Sequence, residues 1–164
     1  MNGSQIEREG LRVALLAIAS LLAGHAFPAD SIGPFHAPAA DERRFVIELP
    51  PMPDEMALQV ELLVGRVLTV DCNARGYLGK LERKKLLGRG LVYYTARDMQ
   101  IPIEPAPPCP ADQPPKEAFV HLEGEPYCVP YDSKTPIVVY TQPEFEVRYR
   151  LWSATSETKA AEAK

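Results

Sequence analysis

An all-β fold, an antiparallel β-sandwich or partly closed barrel, is what this sequence predicts. Three observations carry the prediction. Between Ala57 and Cys72, Leu58, Val60, Leu62 and Val64 alternate with Gln59 and Glu61, and Leu68, Val70 and Cys72 with Thr69 and Asp71, the period of a half-buried strand. Near the other end, Phe145, Val147, Tyr149 and Leu151 alternate with Glu146, Arg148, Arg150 and Trp152. Between them lie further short strand-like runs separated by Gly and Pro turns, with no two clear amphipathic helices to oppose them.

In chain order, residues 1–26 read as an export signal, with a second possible cleavage point after Ala29. Arg8 and Arg12 precede an apolar run from Val13 through Ala23, followed by the small residues Gly24 and Ala26. The run is too short to span a bilayer comfortably. Glu7 and Glu9 weaken the positive flank and leave an uncleaved anchor as the alternative. No other segment is apolar enough to cross, so no stable membrane association is expected after cleavage.

Residues 27–43 form a Pro/Ala-rich arm, expected to be irregular, and the folded domain is expected over 44–152. Arg44–Leu49 is a first strand, stopped by Pro50 and Pro51. In the long strand that follows, Gly65 suggests a bulge or bend. Asn73-Ala74-Arg75-Gly76 is a turn. Gly79–Leu87 is ambiguous between a short helix and an extended segment, and its basic cluster suits a solvated face. Gly88-Arg89-Gly90 is a flexible turn into a strand over Leu91–Thr95.

Seven prolines then fall between positions 102 and 115. Each fixes φ and removes a donor, so neither a helix nor a central strand can pass. A connection of this length inside a compact domain is functional or disordered. The strand-like flanks and the internal Cys109 favour an ordered, displayed loop over a Pro-rich linker. Phe119–Leu122 is the next strand, then turns at Gly124–Pro126 and Tyr131–Lys134. Ile137-Val138-Val139-Tyr140 is almost wholly apolar and belongs at the centre of the core. Trp152, on the charged face of the last strand, either folds over its own sheet or meets a partner chain. Residues 153–164 are a polar, Ala-rich tail.

The 164 residues are 46% hydrophobic and 24% charged, ordinary values for one domain. A net charge of −4 supplies no basic field for nucleic acid. Three cysteines, Cys72, Cys109 and Cys128, lie outside the leader. After export one pair and one leftover are expected, and spacing does not choose the pair. No Cys-x-x-Cys occurs and two of three histidines, His25 and His36, lie in or near the leader, so no zinc or other cofactor is expected. No catalytic motif or nucleophile–base constellation can be assembled, and His121 reads as structural. The chain is not expected to be an enzyme.

Several blocks together resemble the ecotin family, the periplasmic serine-protease inhibitors of Gram-negative bacteria. They are Val60–Gly65, Val70-Asp71-Cys72-Asn73, Gly79–Glu82, Tyr93-Tyr94, Cys109-Pro110, Ser133-Lys134, Pro136–Thr141 and Val147–Trp152, in matching order and similar spacing from Arg44 to Trp152. The resemblance implies a periplasmic homodimer joined through C-terminal strands, with Arg150 and Trp152 at the interface, and serine endopeptidases as partners. It implies a Cys72–Cys109 disulfide with Cys128 free; a closed loop of that length stabilises by about 4 kcal/mol in the chain-entropy model. The reactive loop would be Glu104-Pro105-Ala106-Pro107-Pro108, supported from behind by Asn73, Ala74 and Arg75. Secondary protease contacts would come from Arg89, Gly90 and Leu91 and from Pro130, Asp132 and Lys134.

The chain departs from the family pattern at the bond that matters most. Counting from Tyr93-Tyr94 to Cys109 without a gap places Ala106 in the primary specificity pocket, where familiar members carry methionine, and Pro107 after it. Alanine, with Pro105 before it, suits a small elastase-like pocket. Proline, however, drives the preceding residue toward ψ of about +120 to +160°, and it makes the Ala106–Pro107 amide tertiary. The loop then binds without being cleavable, or its register is shifted, or primary-site inhibition is weak. Arg89 stands where the family has tryptophan, and Pro130 where it has arginine. The alternative function is a non-inhibitory periplasmic binding module on the same scaffold.

Overall fold

The computed structural model describes residues 32–103 and 105–164; the export signal of 1–26 lies outside the described residues. Among the described residues, eight strands form two four-stranded sheets: β1 (Arg43–Ile47), β2 (Leu58–Val70), β3 (Leu78–Lys85), β4 (Val92–Gln100), β5 (Lys116–His121), β6 (Cys128–Pro130), β7 (Ile137–Thr141) and β8 (Glu146–Ser153). One sheet has the order β1-β7-β4-β3; in the other, β2 pairs with β5, β6 and β8. The expected all-β class is what the chain adopts, as two sheets rather than a closed barrel. A single 3-10 turn at Glu55–Ala57 is the helical element among the described residues.

The core lies between the sheets. Val60, Leu62 and Val64 of β2, with Val120 and Val129, meet Leu81, Tyr94, Ala96, Ile137 and Val139 of the other sheet. These are the alternating positions of the sequence, all pointing one way because the side-chain period is two. The ambiguous Gly79–Leu87 segment is extended, as β3, and buries Leu81. Between the named strands pairing is antiparallel except for β4 and β7, which run parallel with Tyr94 opposite Val139 and Thr95 opposite Tyr140. The centre of this sheet is therefore mixed, within the expected all-β class.

All five residues of β7 are buried, and the reason is that both of its faces are covered. Ile137 and Val139 enter the core; Val138 and Tyr140 meet Phe35 on the outer face. Residues 32–42, which supply Phe35, carry no strand or helix and are docked through Phe35. His36 stacks on Tyr140 at 4.2 Å, and the Tyr140 hydroxyl donates to the His36 carbonyl at 2.7 Å.

Two other expectations are corrected. Gly65 makes no bulge: it pairs with His121 on one side and Glu146 on the other, with β2 continuous through it. Glycine stands there because a Cβ would collide with the Val120 carbonyl and the His121 Cα. In β8 the odd positions face the core only at its start. Phe145 is buried and Val147 half-buried, but Tyr149 and Leu151 are exposed. Among the described residues β8 is an edge strand that pairs with β2 alone, and its second half stays exposed.

Candidate functional site

The site begins at the end of β2. After Val70 the chain turns, and the Asp71 side chain starts the turn by accepting from the Asn73 backbone N–H at 2.9 Å, while its carbonyl accepts from Ala74 N–H at 3.3 Å. Such Asx turns are what Asp and Asn favour over helix or ladder. The turn presents Cys72, which is bonded to Cys109 across 37 residues, with Cα atoms 5.8 Å apart. Cys128 is free and exposed.

The segment brought back by this bond is the Pro-rich connection between β4 and β5. Ile103, Pro105, Ala106, Pro107 and Pro108 are all exposed, and Pro102 and Cys109 are half-buried. Glu104 lies outside the described residues. The loop has no regular secondary structure and stands over a hollow of about 830 Å³, whose lining includes Asn73, Arg75, Pro102, Ala106, Val120 and Glu123. It is therefore displayed, not folded inward.

One side chain bridges the hollow. Asn73 Nδ2 donates to the Pro107 carbonyl at 2.9 Å and lies 3.3 Å from Cys109 Sγ. The Cys72 backbone N–H also points to Cys109 Sγ, at 3.2 Å. The loop is thus held by a covalent bond and by a hydrogen bond on its own backbone, on either side of Pro108. Of the expected support residues, Asn73 contacts the loop backbone; Ala74 and Arg75 are exposed, and both line the hollow.

The second set of residues lies at the other end of the molecule. Because β4 and β7 are parallel, the turns that lead into them share one end of the sheet, while the Pro-rich loop leaves β4 at the opposite end. Gly88 and Gly90 both adopt positive φ, 77° and 67°, which makes the β3–β4 turn tight and glycine-dependent. Arg89 and Gly90 are exposed. Leu91, expected with them, is half-buried against the Phe35–Val138–Tyr140 cluster. The apolar side chain the turn does expose is Leu87, at 93%, a residue sequence reasoning passed over.

The neighbouring turn is rigid. Asp132 Oδ1 accepts from Lys134 N–H at 2.8 Å, Ser133 N–H donates to Glu55 at 3.2 Å, and the Tyr131 hydroxyl donates to the Pro50 carbonyl at 2.6 Å. Hydrogen bonding to Ser133 holds the Glu55 carboxyl below its ordinary range. Pro130 and Lys134 are exposed and Asp132 is half-buried. Pro130 ends β6, a three-residue strand that the sequence reading did not identify.

A third cluster lies on β8. Glu61 of β2 is only 3% exposed although it belongs to the outer, polar face. Opposite it, Arg150 donates from Nε and Nη2 to its carboxylate, and the Trp152 indole N–H donates at 2.6 Å. These bonds, from Arg150 foremost, hold the Glu61 carboxyl below the ordinary range. Trp152 leans on its own sheet through this bond yet stays 46% exposed, beside Tyr149 and Leu151 on the same free strand.

The family model described as Ecotin matches residues 31–154. Curated relatives named Ecotin agree over most of their length. One from Pseudomonas fluorescens strain Pf-5 is 40% identical over 92% of this chain and 96% of its own. Another, from Pseudomonas fluorescens strain Pf0-1, is 38% identical over 90% and 91%. A third, from Pseudomonas putida strain W619, is 36% identical over 91% and 93%.

Proposed function

The chain belongs to the ecotin family, whose members are protease inhibitors rather than enzymes, and from that premise we propose that it is an exported, dimeric inhibitor of serine proteases of the trypsin/chymotrypsin fold. The observation that carries this reading is the segment Pro105–Pro108, exposed, followed by the disulfide at Cys109 and held at the Pro107 carbonyl by Asn73. A protease cleft binds an extended backbone by adding it as a strand. A loop already held in place loses little entropy on docking, so the contact energy appears as affinity.

In this reading Ala106 enters the primary pocket, Pro105 precedes it, and the target has a small, elastase-like pocket. Arg89, Gly90, Pro130, Asp132 and Lys134, with Leu87 as an added apolar contact, form the secondary surface. The two surfaces occupy opposite ends of one protomer, so one chain cannot close both on the same enzyme. A two-fold dimer can, with the loop of one protomer and the distal turns of the other, and the linked contacts add avidity. The free edge of β8, carrying Tyr149, Leu151 and Trp152 exposed, supports pairing there, with Arg150 at the same seam. An export signal over 1–26 and a periplasmic site fit a chain that keeps a disulfide.

The test is a titration of elastase-, chymotrypsin- and trypsin-type enzymes with the purified mature protein. Stoichiometric loss of elastase-type activity is expected. Full activity of all three at large inhibitor excess would instead favour a non-inhibitory binding module on the same scaffold.

A further inference from the structure

We infer that this loop acts by occupancy alone: Pro107 makes the Ala106–Pro107 bond one that a serine protease can hold but not cut, so no cleaved form of the inhibitor enters the equilibrium. The inference rests on the inhibitor reading for its biological setting and deepens it. To cleave, the protease serine oxygen must add to the Ala106 carbonyl carbon. The carbon–nitrogen bond must then break, with the Pro107 nitrogen taking a proton from the protease histidine and leaving as a secondary amine. Water would finally release Ala106 as a carboxylate from the serine ester.

Two features of the loop oppose these steps. The first is conformational. Three of the four residues Pro105–Pro108 have φ locked by their rings. Ala106 alone has a free φ, and the Pro107 ring drives its ψ toward the extended region, away from the small ψ that a carbonyl under attack adopts. The Pro107 Cδ also fills the space where an ordinary leaving amide carries only a hydrogen. The second feature is mechanical. The leaving side is tied down: the Pro107 carbonyl accepts from Asn73 Nδ2 at 2.9 Å, and Cys109, two residues on, is bonded to Cys72. These ties slow the rotation and departure of the amine, and the proline ring adds the barrier that an ordinary amide lacks. A pinned carbonyl and a tertiary amide in one residue make a loop suited to filling a cleft and unsuited to turnover.

The experiment incubates the oxidised, mature protein and its Pro107→Ala variant with catalytic pancreatic elastase, over hours and at several pH values. Samples are reduced and read by mass spectrometry for a fragment ending at Ala106. Pro107→Ala restores an ordinary amide and is expected to accumulate the nick, with the wild type slower by about a hundredfold or more, the cost of a misplaced reacting geometry. A wild type nicked at Ala106–Pro107 as fast as the variant overturns the inference. So does a correctly disulfide-bonded variant that stays whole, since proline would then not be the protecting feature. Pro107→Ser serves in the same way where the alanine variant fails to fold. Residual elastase activity in the same samples reports inhibition separately: its persistence with both proteins removes the inhibitor reading, while the contrast in nicking still decides this one.

Discussion

Asn73 is the smallest part of the site and the most exposed to test. Its amide spans from the β2 turn to the Pro107 carbonyl. Asn73→Ala leaves the disulfide in place and removes one neutral hydrogen bond, a loss of about 1 kcal/mol. Inhibition of the target enzyme is expected to weaken by about fivefold, with the midpoint of thermal unfolding lowered by no more than about 2–4 °C; full potency in the variant would show that the loop needs no such prop. Ala106→Arg is expected to move inhibition from elastase-type to trypsin-type enzymes, and indifference to it would mean that another residue enters the pocket. Much at this scale was legible. The cysteine among prolines pointed to one anchored loop and Asn73–Gly76 to a turn, although the pairing that joins them followed from family resemblance. Glu61 was not legible. It reads as an ordinary polar-face carboxylate, and its burial comes from Arg150 and Trp152 on a strand almost ninety positions away.

At the scale of elements, β2 and β8 form the unit that organises one sheet. Eight consecutive residue pairs join them, from Leu58–Ser153 to Gly65–Glu146. The Glu61 carboxyl between them has a lowered pKa, so the ionised form is favoured by folding. Its stabilisation is present in full above the unfolded value, about 4.3, and is lost as pH falls through the lower folded value. Trp152 is the single tryptophan of the chain and donates to that carboxylate, so its emission reports the change. Acidification through the lowered folded value is expected to shift it, and Glu61→Gln to abolish the pH dependence; an acid shift that persists in the variant would place its origin elsewhere. Trp152→Ala is expected to move the protein toward monomer in sedimentation, and an unchanged mass would count against β8 as the seam. The long strands were readable because their alternation is strict. β3 was ambiguous because Leu81 is its one buried residue in a charged run, and β6 is too short to show a period. The parallel β4–β7 pairing was invisible because register between distant segments leaves no local pattern.

At the scale of the molecule, the arm is part of the fold. Phe35 is 5% exposed against Val138 and Tyr140, and Phe35→Ala is expected to cost about 3 kcal/mol in chemical denaturation. A change near zero would mean that the outer face of β7 is closed by something else. The disulfide has a wider reach than its two residues. The chain between Cys72 and Cys109 climbs β3, rounds the Gly88–Gly90 turn and descends β4, so one covalent ring carries both ends that are proposed to meet enzymes. The hairpin inside that ring is a ruler. Two residues added to each of its strands would leave every side chain on its own face, yet push the ends apart by about 7 Å. The spacing of captured enzymes would then be written in strand length, adjustable in steps of two.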